Sequence, residues 1–146
     1  MPESLKLKTP PLFTIIIATY NEFVNIQKTL DSIYLQKFPD IEIIIIDGNS
    51  SDGTVQILKR NQDLISKWLS EDDHGIYDAW NKGLNISSGE WIMFLGAGDT
   101  LNEDALKNYA NFIRTNTNET NFISSKGKII DFKGNFVKVI GKSLNK

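Results

Sequence analysis

The chain of 146 residues contains no cysteine and a single histidine, His74. That excludes disulfides, thiolate metal sites, thiol nucleophiles and any site needing two imidazoles. No apolar run approaches the ~20 residues of a membrane-spanning helix. The segment Met1–Pro11 has no apolar stretch of the kind a signal peptide carries. The glycine-rich dinucleotide fingerprint and the Walker phosphate loop are both missing, and so is the Gly-x-Ser-x-Gly elbow of serine hydrolases. Charge of one sign is scarce too. The formal net charge is −2, which argues against nucleic acid as a partner.

What remains is the composition of an ordinary globular domain, 40% hydrophobic and 23% charged, with enough chain to bury a core. The charge is uneven. Residues 119–146 carry Lys126, Lys128, Lys133, Lys138, Lys142 and Lys146 against Glu119 and Asp131, a balance of +4 that leaves −6 on residues 1–118. The split suggests a core over 1–118 and a β-rich extension over 119–146 within one compact domain; a solvated lysine-rich strand pair gives the same pattern.

Phe13–Ala18 and Ile41–Ile46 are short, β-branched apolar runs that read as buried strands, and Trp91–Leu95 is a third. Ile65–Leu69 reads as a shorter strand between them. Ile26, Leu30 and Ile33 recur at helical spacing, as do Ile76, Ala79, Trp80, Gly83 and Leu84, and again Leu106, Tyr109, Ala110 and Ile113. Thr54 is expected to cap a short helix carrying Val55, Ile57 and Leu58, and Asn102 to cap the last helix. Gly89 is expected to stop the third. Phe122–Ile130 and Phe136–Ile140 read as a hairpin around a turn over residues 131–135. The expected fold is therefore α/β: a mostly parallel, Rossmann-like sheet flanked by helices, with a C-terminal β-hairpin.

In such sheets ligands sit at the carboxyl ends of the strands. Three polar clusters follow the three longer strands: Thr19-Tyr20-Asn21-Glu22, Asp47-Gly48-Asn49 and Gly98-Asp99. A parallel sheet turns all three toward one crevice. Asp47 suits a hydroxyl pair or a base edge; a strand-end Asp equally well caps the next turn. Asp99, behind Gly96-Ala97-Gly98, offers the hard oxygen that Mg²⁺ or Mn²⁺ takes beside phosphates and water. It equally well forms a turn. The loop Glu71-Asp72-Asp73 either contacts a polar ligand or is solvated, and His74 has no evident partner. Trp68, Trp80 and Trp91 are expected in the core.

Four segments in order, Phe13–Glu22, Ile43–Thr54, Asp73–Gly83 and Gly89–Asp99, together resemble family 2 glycosyltransferases of the GT-A fold, closest to the bacterial polysaccharide-biosynthesis branch. The resemblance covers roughly residues 12–140. It implies a nucleotide-sugar donor, UDP before GDP or dTDP, and a glycan or lipid-linked acceptor. It implies that Thr19, Tyr20, Asn21 and Glu22 line the nucleotide pocket and that Asp47 binds the base region. Asp73, with Asn81, Lys82 and Gly83, would flank the nucleotide-sugar. Asp99 would hold Mg²⁺ or Mn²⁺ on the diphosphate, as the one acid left of a motif that usually carries two. The resemblance also places the general base in a C-terminal part that this chain is expected to lack, so no catalytic base is assigned. A cytoplasmic protein is expected, peripheral at the inner face of the membrane if attached at all, with self-association through an unpaired sheet edge as a further option. Two other classes stay open: a nucleotide-sugar-binding module without turnover, and an interaction module that docks its lysine-rich tail on a membrane or a partner chain.

Overall fold

The computed structural model describes residues 9–116, 121–131 and 133–141. Glu119, Lys142 and Lys146 of the basic tail, and the segment 1–8, lie outside the described residues. The chain divides into two compact units, Met1–Ala110 and Asn111–Lys146.

The first unit is built on four parallel strands, β1 (Phe13–Thr19), β2 (Ile41–Asp47), β3 (Lys67–Ser70) and β4 (Trp91–Gly96), in the order β3-β2-β1-β4. The strands are joined through helices α1 (Ile26–Tyr34), α2 (Thr54–Arg60) and α3 (Ile76–Ile86); α4 (Ala105–Thr115) follows β4. The two central strands are buried along nearly their whole length. This is why they read as unbroken isoleucine runs instead of alternating: helices cover both faces of a parallel sheet. Against it α1 lays Ile26, Leu30 and Ile33, all essentially inaccessible. The three tryptophans are half-buried, with Trp80 packed on Phe94 at 4.9 Å between ring centroids.

Register aligns the strand ends. Thr19 pairs with Asp47, Asp47 with Ser70, and Ala18 with Gly96. The carboxyl edge of the sheet is thus one row of polar or small residues. Strand order reverses between β1 and β4, so this edge contains a topological switch point.

Helix boundaries depart from expectation in instructive ways. Gly53, with φ 105°, is the N-cap of α2, and Thr54 lies inside the helix. The Asp52 carboxylate does the capping, accepting from the Thr54 amide at 2.9 Å and its hydroxyl at 2.6 Å. α4 starts at Ala105, after Asp104 at φ 58°, so Asn102 is not its side-chain cap. Gly89 does not stop α3, which ends at Ile86. It is small because it lies against β1: its amide donates to Thr14 Oγ1 at 2.8 Å, and a Cβ there would stand 2.6 Å from the Thr14 amide nitrogen. Backbone cannot retreat as a flexible side chain can. Gly89→Ala is therefore expected to lose about 2 kcal/mol of stability, in the usual range for overpacking, measured by urea unfolding.

Beneath this contact Glu42 is buried on β2. It accepts from Thr14 Oγ1 at 2.6 Å, from the Ser88 amide at 2.8 Å and hydroxyl at 3.0 Å, and from Lys67 Nζ at 2.8 Å. Burial pushes its carboxyl up, but these four donors outweigh burial and bring it down to about 2.

The second unit contains the antiparallel pair β5 (Gly127–Ile130) and β6 (Phe136–Ile140). β6 falls where expected; β5 is shorter than Phe122–Ile130. Asp131 builds the turn, accepting from the amides of Lys133 and Asn135 at 2.8 Å each and from Asn135 Nδ2 at 3.0 Å. These donors hold its carboxyl below the usual range.

Candidate functional site

At the switch point lies an open cleft of about 370 Å³, lined by Ala18, Thr19, Tyr20, Glu22, Asp73, Gly75, Ile76, Ala79, Gly96 and Ala97. The ends of β1 and β4 form its floor and the N-terminal turn of α3 one wall. A larger, mostly apolar hollow of about 480 Å³ sits between α1, the segment after it and Leu64. The first cleft, not this hollow, takes in strand-end Thr19 and Gly96 together with Glu22 and Asp73.

One polar atom in its floor stands out. Thr19 is 5% exposed, yet its Oγ1 is buried without a hydrogen-bond partner among the described residues. An unmet buried hydroxyl costs about 1–3 kcal/mol. Tyr20, 63% exposed, stands at the rim. Its ring and the Asp73 carboxylate converge on Gly48: a Cβ at that glycine would lie 2.8 Å from Asp73 Oδ2 and 3.3 Å from Tyr20 Cδ2. The Tyr20 ring and the Asp73 carboxylate therefore pack closely on the backbone of residue 48 at the edge of the cleft.

The other expected residues shape the walls. Asp47 is fully buried and turned into its own loop: Ser50 donates its amide to Oδ2 at 2.9 Å and its hydroxyl to Oδ1, and Ser70 Oγ donates to Oδ2 at 2.6 Å. Asn21, at φ 52°, accepts from the Ser51 amide at 2.9 Å and gives its own amide to Ser50 Oγ at 2.7 Å. Glu22 and Phe23 donate their amides to Thr54 Oγ1 and Asp52 Oδ2, both at 2.9 Å. The loop after β1 is thereby stitched to the loop after β2. Glu22 also faces the cleft, with its Oε2 accepting from Asn25 Nδ2 at 2.8 Å.

Lys82 does not reach the cleft lining. It binds the acidic loop from behind, donating to the Asp72 carbonyl at 2.7 Å and pairing with Glu71 at 3.0 Å and Asp78 at 3.5 Å. The hydrogen bond to Glu71 is the main cause that raises its pKa. Asn81 is exposed on α3 and is also outside the lining. Asp73 Oδ1 accepts from the Gly75 amide at 2.9 Å, and Gly75, at φ 105°, leads into α3. His74 is exposed and lies 3.5 Å from Asp78.

Asp99 sits beyond the end of β4. Its Oδ2 accepts from the Gly96 amide at 2.9 Å, while its own amide donates to the Gly96 carbonyl at 3.0 Å. This turn fixes the carboxylate two residues from Ala97, which lines the cleft. Among the described residues no three acids or histidines cluster into a metal cage. The donor set fits an ion held by one carboxylate and completed by ligand phosphates and water.

Sequence patterns place Ile76 at the start of α3 but single out neither Ser70 nor Gly75 as a site residue. Ser70 becomes visible only through strand register, and Gly75 through its left-handed φ.

A sequence profile described as glycosyl transferase family 2 matches residues 14–135. The chain is 39% identical to a PGL/p-HBAD biosynthesis glycosyltransferase of Mycobacterium tuberculosis, over 70% of this chain and 42% of the relative. It is 34% identical to a GalNAc(5)-diNAcBac-PP-undecaprenol beta-1,3-glucosyltransferase of Campylobacter jejuni, over 92% of this chain and 53% of that protein. The chain thus spans about half, or less, of the length of these relatives. Among solved structures it resembles S. aureus TarS 1-349 in complex with UDP-GlcNAc, with TM-score 0.67 and 29% identity over 70% of this chain and 31% of that one. It also resembles the mannosyltransferase PcManGT from Pyrobaculum calidifontis in complex with GDP-Man and Mn²⁺, with TM-score 0.64 and 28% identity over 73% and 33% of the two chains.

Proposed function

The chain belongs to glycosyl transferase family 2, and from that premise we propose that it carries the donor site of an inverting glycosyltransferase that takes a sugar from a UDP-sugar. The observation that carries this reading is the switch-point cleft, with the unmet Thr19 hydroxyl in its floor and Tyr20, Glu22 and Asp73 around it. A nucleotide lying there would place its base against Tyr20 and Asp73 at the rim of the cleft. Its diphosphate would run toward Gly75–Ile76 and the Gly96–Asp99 turn. Asp47 and Asn21 act through the loops they brace, and Lys82 through the acidic loop it restrains.

Asp99 would hold a divalent ion, Mg²⁺ or Mn²⁺, which supplies Lewis-acid neutralisation of the departing diphosphate. The protein's own contribution is to align the anomeric carbon so that an acceptor hydroxyl attacks in line with the leaving group. The acceptor is a glycan or a lipid-linked glycan, the class that the Campylobacter relative's name describes. A lipid-linked acceptor would place this chain at a membrane surface, on the cytoplasmic side; among the described residues no helix is long and apolar enough to cross one. A second reading, donor binding without turnover, draws on Asp131. It is the one acid of the tail among the described residues, and it is committed to its turn.

Calorimetric titration with UDP, GDP and dTDP, each with and without Mn²⁺, tests the proposal. UDP is expected to bind more tightly with Mn²⁺, and Asp99→Ala is expected to remove that enhancement. A folded chain that binds none of the three overturns the donor-site reading. Transfer or hydrolysis of the sugar then separates the enzyme from the silent binder.

A further inference from the structure

The helix α1 carries two stripes. Ile26, Leu30 and Ile33 face the sheet. A second stripe, Thr29 and Ser32 with Gln36 in the turn that closes the helix, repeats at the same helical spacing. Every member of this second stripe takes hold of the segment after β4. Thr29 Oγ1 accepts from the Gly98 amide at 2.8 Å. Ser32 Oγ accepts from the Leu101 amide at 3.1 Å. Gln36 accepts from the Leu106 amide at 3.1 Å through Oε1 and donates to the Asn102 carbonyl at 2.9 Å through Nε2.

These are main-chain groups that no strand or helix satisfies. Residues 97–104 are irregular, and their orphan donors need partners. The first anchor is the informative one. Gly98 immediately precedes Asp99 and adopts φ 101°, a backbone angle that favours glycine. That amide is caught by Thr29, which is completely buried. The Ser32 hydroxyl is itself oriented, because it donates to the Thr29 carbonyl at 2.8 Å and so presents a lone pair to Leu101. Asp99 is thus clamped between two anchors: the Gly96 amide holds its carboxylate, and α1 holds the backbone on both sides of it.

We infer that Thr29 and Ser32 are positioning residues for Asp99, fixing where its carboxylate meets the metal–diphosphate. The inference rests on the reading of Asp99 as a metal ligand. A lone protein ligand has no neighbours to correct its placement, so its geometry depends wholly on the backbone that carries it. Partners that orient a metal ligand typically affect metal affinity by about 10–100-fold.

The test is Mn²⁺ titration of the chain in saturating UDP, read by the loss of the free-Mn²⁺ electron-spin signal, on wild type, Thr29→Val, Thr29→Ser, Ser32→Ala and Asp99→Ala. Thr29→Val keeps the shape of the side chain and removes the acceptor. It is expected to raise the apparent Mn²⁺ dissociation constant roughly tenfold, with metal-free UDP affinity within about twofold of wild type. Thr29→Ser restores the acceptor and is expected to restore Mn²⁺ affinity. Ser32→Ala removes the more exposed anchor and supplies an arm that folds if the buried Thr29→Val substitution does not; a severalfold weakening is expected. Wild-type Mn²⁺ affinity in Thr29→Val and Ser32→Ala, alongside a large loss in Asp99→Ala, overturns the positioning role and leaves the donor-site reading intact. Unchanged Mn²⁺ affinity in Asp99→Ala overturns the ligand role itself, and the positioning role with it.

Discussion

Glu42→Ala should lower the unfolding free energy by about 3 kcal/mol, the low end of the cost of stripping one partner from a buried ionic network. Glu42 is 6% exposed and gathers a cation, two hydroxyls and an amide from three places in the chain. Its removal leaves Thr14 and the Ser88 amide short of an acceptor inside the protein. Lys67 is better placed, since its side chain is 46% exposed and water can solvate it. For that reason the low end of the range applies. Glu42→Gln retains acceptor capacity at one oxygen and should lose about half as much.

The pH dependence has a defined sign. The carboxyl is depressed in the folded state from 4.5 to about 2. Its contribution is therefore complete above pH ~4.5 and is lost as pH falls from there to ~2. A shift of that size corresponds to about 3 kcal/mol, in line with the mutational figure. Urea unfolding of wild type and Glu42→Ala at a series of pH values should show the gap between them closing across that interval. A gap that persists at pH 2, or that never existed at pH 7, contradicts the account.

The second large effect is expected at Gly48. A leucine there would displace Asp73 and Tyr20, since even a Cβ lies 2.8 Å from Asp73 Oδ2 and 3.3 Å from Tyr20 Cδ2. The flexible Asp73 side chain can swing away, so the fold should survive, but the two residues proposed to contact the base would be pushed out of place. Displacing a base from its aromatic contact costs about 2 kcal/mol, or roughly thirtyfold in affinity. Gly48→Leu should therefore bind UDP at least thirtyfold more weakly than wild type while melting within a few degrees of it. Unchanged UDP affinity in the folded variant would place the base elsewhere.

Much of this architecture is legible in the sequence because buried parallel strands announce themselves. Ile15-Ile16-Ile17 and Ile43-Ile44-Ile45-Ile46 leave no face for solvent, and a polar residue after each run marks the edge where ligands bind. The helical stripes are equally plain. What was not legible depends on pairing between distant segments. Ser70 is one polar residue among many until register sets it against Asp47. Gly89 is identical in sequence to a helix stop; only the approach of Thr14 reveals its other role. Asp47 illustrates a deeper ambiguity. A carboxylate at a strand end can face a ligand or its own loop, and in this chain two serines claim it. Asn81 and Lys82 sit one turn too far along α3 to line the cleft, which a motif read without a helix axis does not disclose.

The stitching of the two loops has a thermodynamic consequence. Asn21, Glu22 and Phe23 exchange side-chain-to-backbone hydrogen bonds with residues 50–54. Bonds made wholly within the protein order that rim, so binding need not repay the entropy of freezing it. Association at this edge should accordingly show the modest heat-capacity change of a preformed surface rather than the large negative one of coupled folding. The adaptable part of recognition then falls to the exposed Tyr20 side chain and to the Gly75 entry to α3.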